Sequence, residues 1–546
     1  LSREASRRVL LLEAGGPDRH PMIHVPLGFA FLMKDRSVNW CYQTEPEPEL
    51  DYRKIAWPRG KVVGGTSAIN GMVYIRGQRE DYEAWAAAGN PGWSYEEMLP
   101  WFLASEHNTR GADALHGSGG GLWVDEVGPP LECTDLFIQA GVSIGLPFNT
   151  DFNGPSQEGI GRYQVNVRNG VRQTAATSFL KPALKRANLE LATHALAEKL
   201  LLEGERVTGV QYRRKDKVLR VAARRGVVLC GGAINSPQLL ELSGIGNPDV
   251  LGPLGLDTRH ALPGVGENLQ DHLTVNVQQG LRNVKTFADE TTPLGLLRNA
   301  LRWGIKREGL LIHPACQAGA FLRTAPDVER PNAQIHYTPA AGRLNAHGNL
   351  TTVPGTTATI CNLRPTSRGS VHVRTPFAHY PPAIRANYMA TEADRRVMID
   401  AVKRVREIFA SSVFDGYRDA EIKPGVNCSS DGQILEFIRR EAESVYHPVG
   451  TCRMGTGSDA VVRWVGSAAL MRTTRGGWAP SSATTMSPWK RMALSGTATS
   501  VRFIDTAFVA GSQTCTALPN HDETTRRVPS DASVMGECNG DTPSNA

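Results

Sequence analysis

The amino-acid sequence predicts an α/β fold, α+β overall, in which a Rossmann-like unit is interleaved with a second domain built on an antiparallel sheet with helices. Three observations carry this. An early apolar run, Val9-Leu10-Leu11-Leu12, closes on Glu13 and then two glycines, the pattern of a buried parallel strand that delivers a carboxylate to a ribose hydroxyl. A later run, VVLC (227–230), empties into GGAINSPQLLELSGIG, which reads as strand, glycine turn and helix. From about 273 to 382, short β-like runs such as AQIHYTPA, TATICNLRP and GSVHVR follow one another, the mark of a sheet-rich domain.

The remaining elements follow in chain order. LDYRKIAWPRGKVVGGTSAINGMVYIRG (50–77) is glycine-rich, and NPGWSYEEMLPWF (90–102) reads as a turn entering a helix. LELAT, VTGVQY and VLRVAARRGVVLC, within 189–230, alternate like antiparallel strands. DRRVMIDAVKRVREIFASSVF (394–414) places Val397, Val402, Val405, Ile408 and Phe409 near helical spacing, an amphipathic helix, and QILEFIRREAESV reads as another. No internal repeat of fixed period occurs.

At 546 residues the chain is long enough for two closely joined domains and a large bound ligand. Its formal charge of +6 is small for this size, and the basic residues are scattered without aromatic interleaving, which argues against nucleic acid. Nine cysteines, an odd number with no C-x-x-C pair, fit reduced thiols and point to the cytoplasm. No apolar stretch approaches the roughly 20 residues that span a bilayer, while contact at the periphery of an inner membrane stays open.

Chemistry concentrates in two glycine-rich segments and one histidine. In WPRGKVVGGTSAINGMVYIRG (57–77), Gly64 and Gly65 let a ligand approach the main chain, and Asn70, Gly71, Met72 and Val73 can present backbone N–H groups. Gly231 and Gly232 repeat that logic elsewhere, so two such sites point to one long ligand. ESVYHPVGTCRMG (443–455) holds His447, a side chain that titrates in the range useful for a base taking a hydroxyl proton. A metal reading of His447 with Cys452 lacks further ligands at suitable spacing. In LPGVGENLQDHL (262–273), Glu267, Asp271 and His272 lie close together, but the segment reads as structural, with Asn268 bonding neighbouring chain; no metal is expected.

These stretches, with WCYQTEPEPEL, DFNGPSQEGIGRYQ, LRPTSRGSV and YHPVGTCRMG, resemble the glucose/methanol/choline (GMC) oxidoreductases, in their choline dehydrogenase-like and alcohol dehydrogenase branch. The resemblance runs from residue 1 to about Val462, about five-sixths of the chain. It implies FAD as cofactor, with Glu13 on the adenosine ribose and Ala197 offering backbone groups to the adenine. It also implies oxidation of a primary alcohol to an aldehyde, His447 taking the proton while hydride passes to flavin N5, with a small-molecule alcohol as substrate and a quinone or other carrier receiving the electrons. The alternatives are a flavin-containing hydroxynitrile lyase of the same fold, or a non-functional fragment.

The resemblance also sets expectations for domains and ends. Residues 1–272 are expected to be mainly FAD-binding with substrate-domain insertions, 273–442 mainly substrate-binding, 443–462 the catalytic histidine segment, and 463–546 a divergent tail that partly resembles the end of the FAD domain at 527–535. Family members begin with a strand and a G-x-G-x-x-G turn, followed by a helix whose tail LSREASRR would be, so the first strand and loop are expected to be missing. In the tail, Asp531 stands nearest the acid that holds FAD and Asn545 nearest the second catalytic position, although the text around both departs from the family's.

Overall fold

The computed structural model describes residues 1–344, 350–464 and 492–494. Asp531 and Asn545 lie outside the described residues, as does most of the divergent tail.

The opening apolar run is the strand Val9–Glu13, as its pattern predicts. Its partner is Leu189–Thr193, paired parallel and in register from Val9/Leu189 to Glu13/Thr193. LELAT was expected among antiparallel strands and is instead this parallel partner. The meander that follows, Ala195–Glu203, Arg206–Arg214 and Lys217–Ala222, is antiparallel throughout. Alternation along a single strand looks the same in both arrangements, since direction is set by the neighbour. Residues 227–230, expected as a strand, join no ladder among the described residues and lead straight into the helix Gly232–Leu242. Leu10, Leu12, Val207, Leu240, Ile245 and Val461 pack together beneath these elements.

The second layer is a seven-stranded sheet. Its order is Arg418–Lys423, Leu273–Leu281, Gly355–Asn362, Ala333–Thr338, Ala318–Leu322 and Gly159–Arg162, with Glu443–Ser444 also pairing with Leu273–Leu281. All of these ladders are antiparallel. Ala333, Ile335 and Tyr337 turn one face into the largest core, which also takes in Phe137, Val402, Val405, Ile408 and Phe409 from the helices Glu132–Ser143 and Glu392–Ala410. On the latter helix Val397 is only half-buried, and Met398 and Ile399 occupy the seam in its place. Its first turn carries a buried acid, Asp394, which accepts from Ser367 N at 2.9 Å and Thr366 N at 2.8 Å and so pins the LRPTSRGSV loop to the helix.

Candidate active site

Between the two layers lies a cavity of about 1510 Å³, beyond the roughly 300–1,000 Å³ of sites for drug-sized ligands. Glu13, Gly64, Gly65, Ala197, Gly231, Gly232 and His447 all line it. Residues up to 434 positions apart in the chain, Glu13 and His447, therefore share one cleft.

Local chemistry explains how each reaches the wall. Glu13 ends its strand, and its Oε1 accepts from Gly15 N at 2.7 Å, while Val63 N donates to Gly16 O at 2.9 Å, which draws the first glycine loop against the strand end. That loop is fixed by Ser67, whose hydroxyl donates to Gly64 O at 2.5 Å and accepts from Ala175 N at 2.8 Å. Ala197 stands at a register shift, where a bulge interrupts the ladder and frees backbone. Gly65 and Gly232 adopt positive φ, +55° and +70°, and a Cβ at either would meet nothing within 4 Å, so bare main chain faces open space. Burial pushes the Glu13 carboxyl up to about 7 against the pull of Gly15 N–H and Lys61.

Asn70, Gly71, Met72 and Val73 stand behind this wall instead of lining it. Asn70 there meets a fully buried Arg172, whose Nη1 donates to Asn70 O at 2.5 Å and Asn70 Oδ1 at 2.8 Å. Burial lowers this guanidinium to about 9. The Met72 N–H, expected to face a ligand, donates to Asn70 Oδ1 at 3.2 Å.

His447 is held by the segment that the sequence marks as structural. Gln270 and Val449 exchange two backbone hydrogen bonds of 2.9 Å, and Gly266 N donates to Thr451 O at 2.9 Å, so ENLQDH and HPVGT run side by side. Gly450, with φ +99°, makes this possible because a Cβ there would stand 2.2 Å from Asn268 O. Thr451 Oγ1 donates to Ala233 O at 2.6 Å and so ties the segment to the second glycine loop. Asp271 is the hub: Oδ1 accepts from His447 N at 2.7 Å, and Oδ2 accepts from Ser444 Oγ at 2.5 Å and from Tyr388 OH. Burial raises the Asp271 carboxyl in spite of these donors.

The ring of His447 meets the ring of His272 Nδ1 to Nδ1 at 3.2 Å. Burial lowers His272 to about 4, so this ring is neutral. A neutral imidazole has one donor and one acceptor nitrogen. With His272 Nδ1 as the acceptor of this contact, His447 Nδ1 is the donor and His447 Nε2 keeps its lone pair. That Nε2 is buried and has no hydrogen-bond partner. Desolvation, with His272, His336 and Arg59 nearby, holds the pKa of His447 well below the ordinary imidazole value. Asp271 and His272, read from sequence as structural, are thus the support of His447; the adjacent acid and histidine in LQDHL are the signal that could have shown it. Among the described residues no group of His, Cys, Asp and Glu is arranged to hold a metal ion.

Comparisons with known proteins show what the chain resembles as a whole. Sequence models of the GMC oxidoreductase family match residues 28–274 and 365–466. An alcohol dehydrogenase [acceptor] of Pseudomonas putida is 40% identical over 474 residues, 85% of this chain and 84% of the relative. An oxygen-dependent choline dehydrogenase of Brucella anthropi is 38% identical over 459 residues, 84% of this chain and 83% of the relative. Among solved structures, pyridoxine 4-oxidase from Mesorbium loti aligns with TM-score 0.75 at 31% identity, over 84% of this chain and 87% of that one. A formate oxidase of Aspergillus oryzae aligns with TM-score 0.78 at 20% identity, over 85% and 87%, a likeness of fold alone.

Proposed function

The chain belongs to the GMC oxidoreductase family of FAD-dependent enzymes, and from that premise we propose that it oxidises a primary alcohol to its aldehyde with His447 Nε2 as the base. The observation that carries the reading is the buried, unpartnered Nε2 of a cavity-wall histidine whose other ring nitrogen, Nδ1, is engaged by His272.

The residues present fit FAD. The cavity exceeds the needs of a small alcohol, two loops turn bare glycine backbone toward it, and a carboxyl stands at the strand end where a ribose would be held. In this reading Glu13 and Ala197 take the adenosine half, and the backbone at Gly64, Gly65, Gly231 and Gly232, with the N-terminus of the helix Gly232–Leu242, takes the remainder. Bound FAD supplies the two-electron acceptor. Residues 1–272 form mainly the cofactor side with substrate-side insertions, 273–442 mainly the substrate side and 443–462 the catalytic segment; Gly159–Arg162, joined to the large sheet, is one such insertion.

His447 receives the hydroxyl proton on Nε2 and, once cationic, still donates from Nδ1 to His272, so the same contact serves both protonation states. The Asp271 carboxylate fixes the backbone on which the ring sits. The relatives' names favour alcohols or choline as substrates, and they give the electron acceptor as an unspecified acceptor in one case and as oxygen in the other.

Anaerobic addition of primary alcohols, choline among them, to the flavin-loaded protein tests the reading. The expected result is bleaching of the flavin absorbance with one aldehyde formed per flavin reduced. Unbleached flavin together with cyanide release from a hydroxynitrile would replace oxidation with lyase chemistry.

A further inference from the structure

The helix Pro293–Lys306 is built the wrong way round for a helix that belongs only to its own core. Its inward positions are Gly295 and Asn299, with Trp303 half-buried. It is fastened by polar bonds: Trp303 Nε1 donates to Gly170 O at 2.8 Å, Asn299 Nδ2 to Glu290 Oε2 at 2.9 Å, and Leu310 N to Asn299 Oδ1 at 3.0 Å. The aliphatic residues recur at spacings of three, four and four, and they face outward: Leu294 is 77% exposed, Leu297 58%, Leu301 57% and Ile305 79%. Spacing of that kind places all four on one ridge of the helix.

Beside the ridge runs a second row at i, i+4, i+8, formed by Arg298, Arg302 and Lys306. Glu290 sits 2.5 Å from Arg298, and Glu308 stands 3.7 Å from Arg302. Between positions 285 and 308 five cations, Lys285, Arg298, Arg302, Lys306 and Arg307, face three carboxylates, Asp289, Glu290 and Glu308. Aliphatic residues on the outer ridge and long cationic side chains along its flank are the two elements of a helix that lies in a membrane interface, where the side chains' heads reach anionic headgroups. No helix among the described residues is long and apolar enough to cross a membrane, so such contact is by a helix lying on the surface.

We propose that the helix Pro293–Lys306 docks the protein on the surface of an anionic lipid bilayer, with Leu294, Leu297, Leu301 and Ile305 entering the headgroup boundary and Arg298, Arg302 and Lys306 meeting the lipid phosphates. The occupant is a bilayer and not a second copy or a protein groove because the cationic row accompanies the apolar ridge from Leu297 to Ile305, which matches a continuous anionic surface.

Co-sedimentation of the full chain with phosphatidylcholine vesicles, with and without phosphatidylglycerol, tests it. The unvaried protein is expected to sediment with the mixed vesicles and less with phosphatidylcholine alone. A Leu297→Glu, Leu301→Glu double variant should bind about tenfold less or worse, and Arg298→Gln with Arg302→Gln should lose the preference for phosphatidylglycerol. These side chains are exposed and line no part of the main cavity, so circular dichroism and flavin content should not change and separate the surface effect from misfolding. Equal sedimentation of the unvaried protein and the leucine variant, or none of either, would overturn the proposal. So would a dimer in lipid-free gel filtration that the leucine variant turns into monomer, since the ridge would then belong to a second copy.

Discussion

His272 and His447 share one proton between their facing Nδ1 atoms, 3.2 Å apart. The direction of that bond sets the chemical character of His447 Nε2: with His272 Nδ1 accepting, Nε2 is left with its lone pair. His272, itself on the cavity wall, thereby bears on whether its neighbour is a base or a donor.

Replacing His447 with alanine is expected to leave bound flavin in place and lower the rate of flavin reduction by alcohol about 10²-fold or more, the scale of a positioned general base. Stopped-flow absorbance after mixing with alcohol measures it. Loss of flavin without a specific loss of reduction would make His447 structural.

His272→Phe removes the acceptor and frees His447 to carry its proton on Nε2. The expectation is a fall in kcat of about tenfold or more with KM little changed, and partial recovery in His272→Gln, whose amide oxygen can accept from Nδ1. Similar losses in both variants, accompanied by a lower melting temperature, would show that His272 only fills space.

The pH profile of flavin reduction follows from the depressed pKa of His447. A base is active when unprotonated, and lowering its pKa extends that state downward. Reduction should therefore be flat through neutrality and decline only on the acid side of the ordinary histidine range. A midpoint at or above that range would contradict the placement of this ring.

Glu13 gives a stability signature of the opposite sense to a salt-bridged carboxylate. Its folded-state pKa, about 7, lies above its ordinary value of 4.5, so the folded protein binds the extra proton between those values and loses stability as pH rises through that window. Glu13→Gln should match the parent below the window and exceed it above by of order 2 kcal/mol, reduced by the residual exposure of the group. Thermal melts at the two ends of the window decide it; equal melting temperatures at both would show that burial does not strain this carboxyl.

Gly232 and Gly264 separate cradle from scaffold. Gly232→Ala places a methyl in open space at φ +70°, with a fold cost of about 1 kcal/mol and FAD binding weakened about tenfold by the group intruding on the cradle. Gly264→Ala would set a Cβ 2.1 Å from Asp459 O, with a stability loss of about 2 kcal/mol. Flavin content and melting temperature, measured together, should move in different proportions in the two variants. Undiminished flavin in a folded Gly232→Ala protein would remove that loop from the proposed cofactor site.

The sequence by itself determined the strand Val9–Glu13, the helix Glu392–Ala410 and the positions of both glycine pairs, because apolar spacing, capping and glycine turns are local properties of a few neighbouring residues. It also singled out His447 as a group able to take a proton. Whatever depends on a distant partner was decided only by the tertiary structure. Leu189–Thr193 runs parallel because Val9–Glu13 lies beside it, and Asn70 stands behind the cavity wall, where it meets the buried Arg172. His272 became the support of His447 although 175 positions separate them. The hydrophobic period of Pro293–Lys306 shows equally well on an inward or an outward ridge, and only its polar anchors at Asn299 and Trp303 turned the leucines to the outside. Periodicity gives the existence of a face, whereas the direction of that face, like the direction of a strand or of a shared proton, belongs to the neighbour it meets.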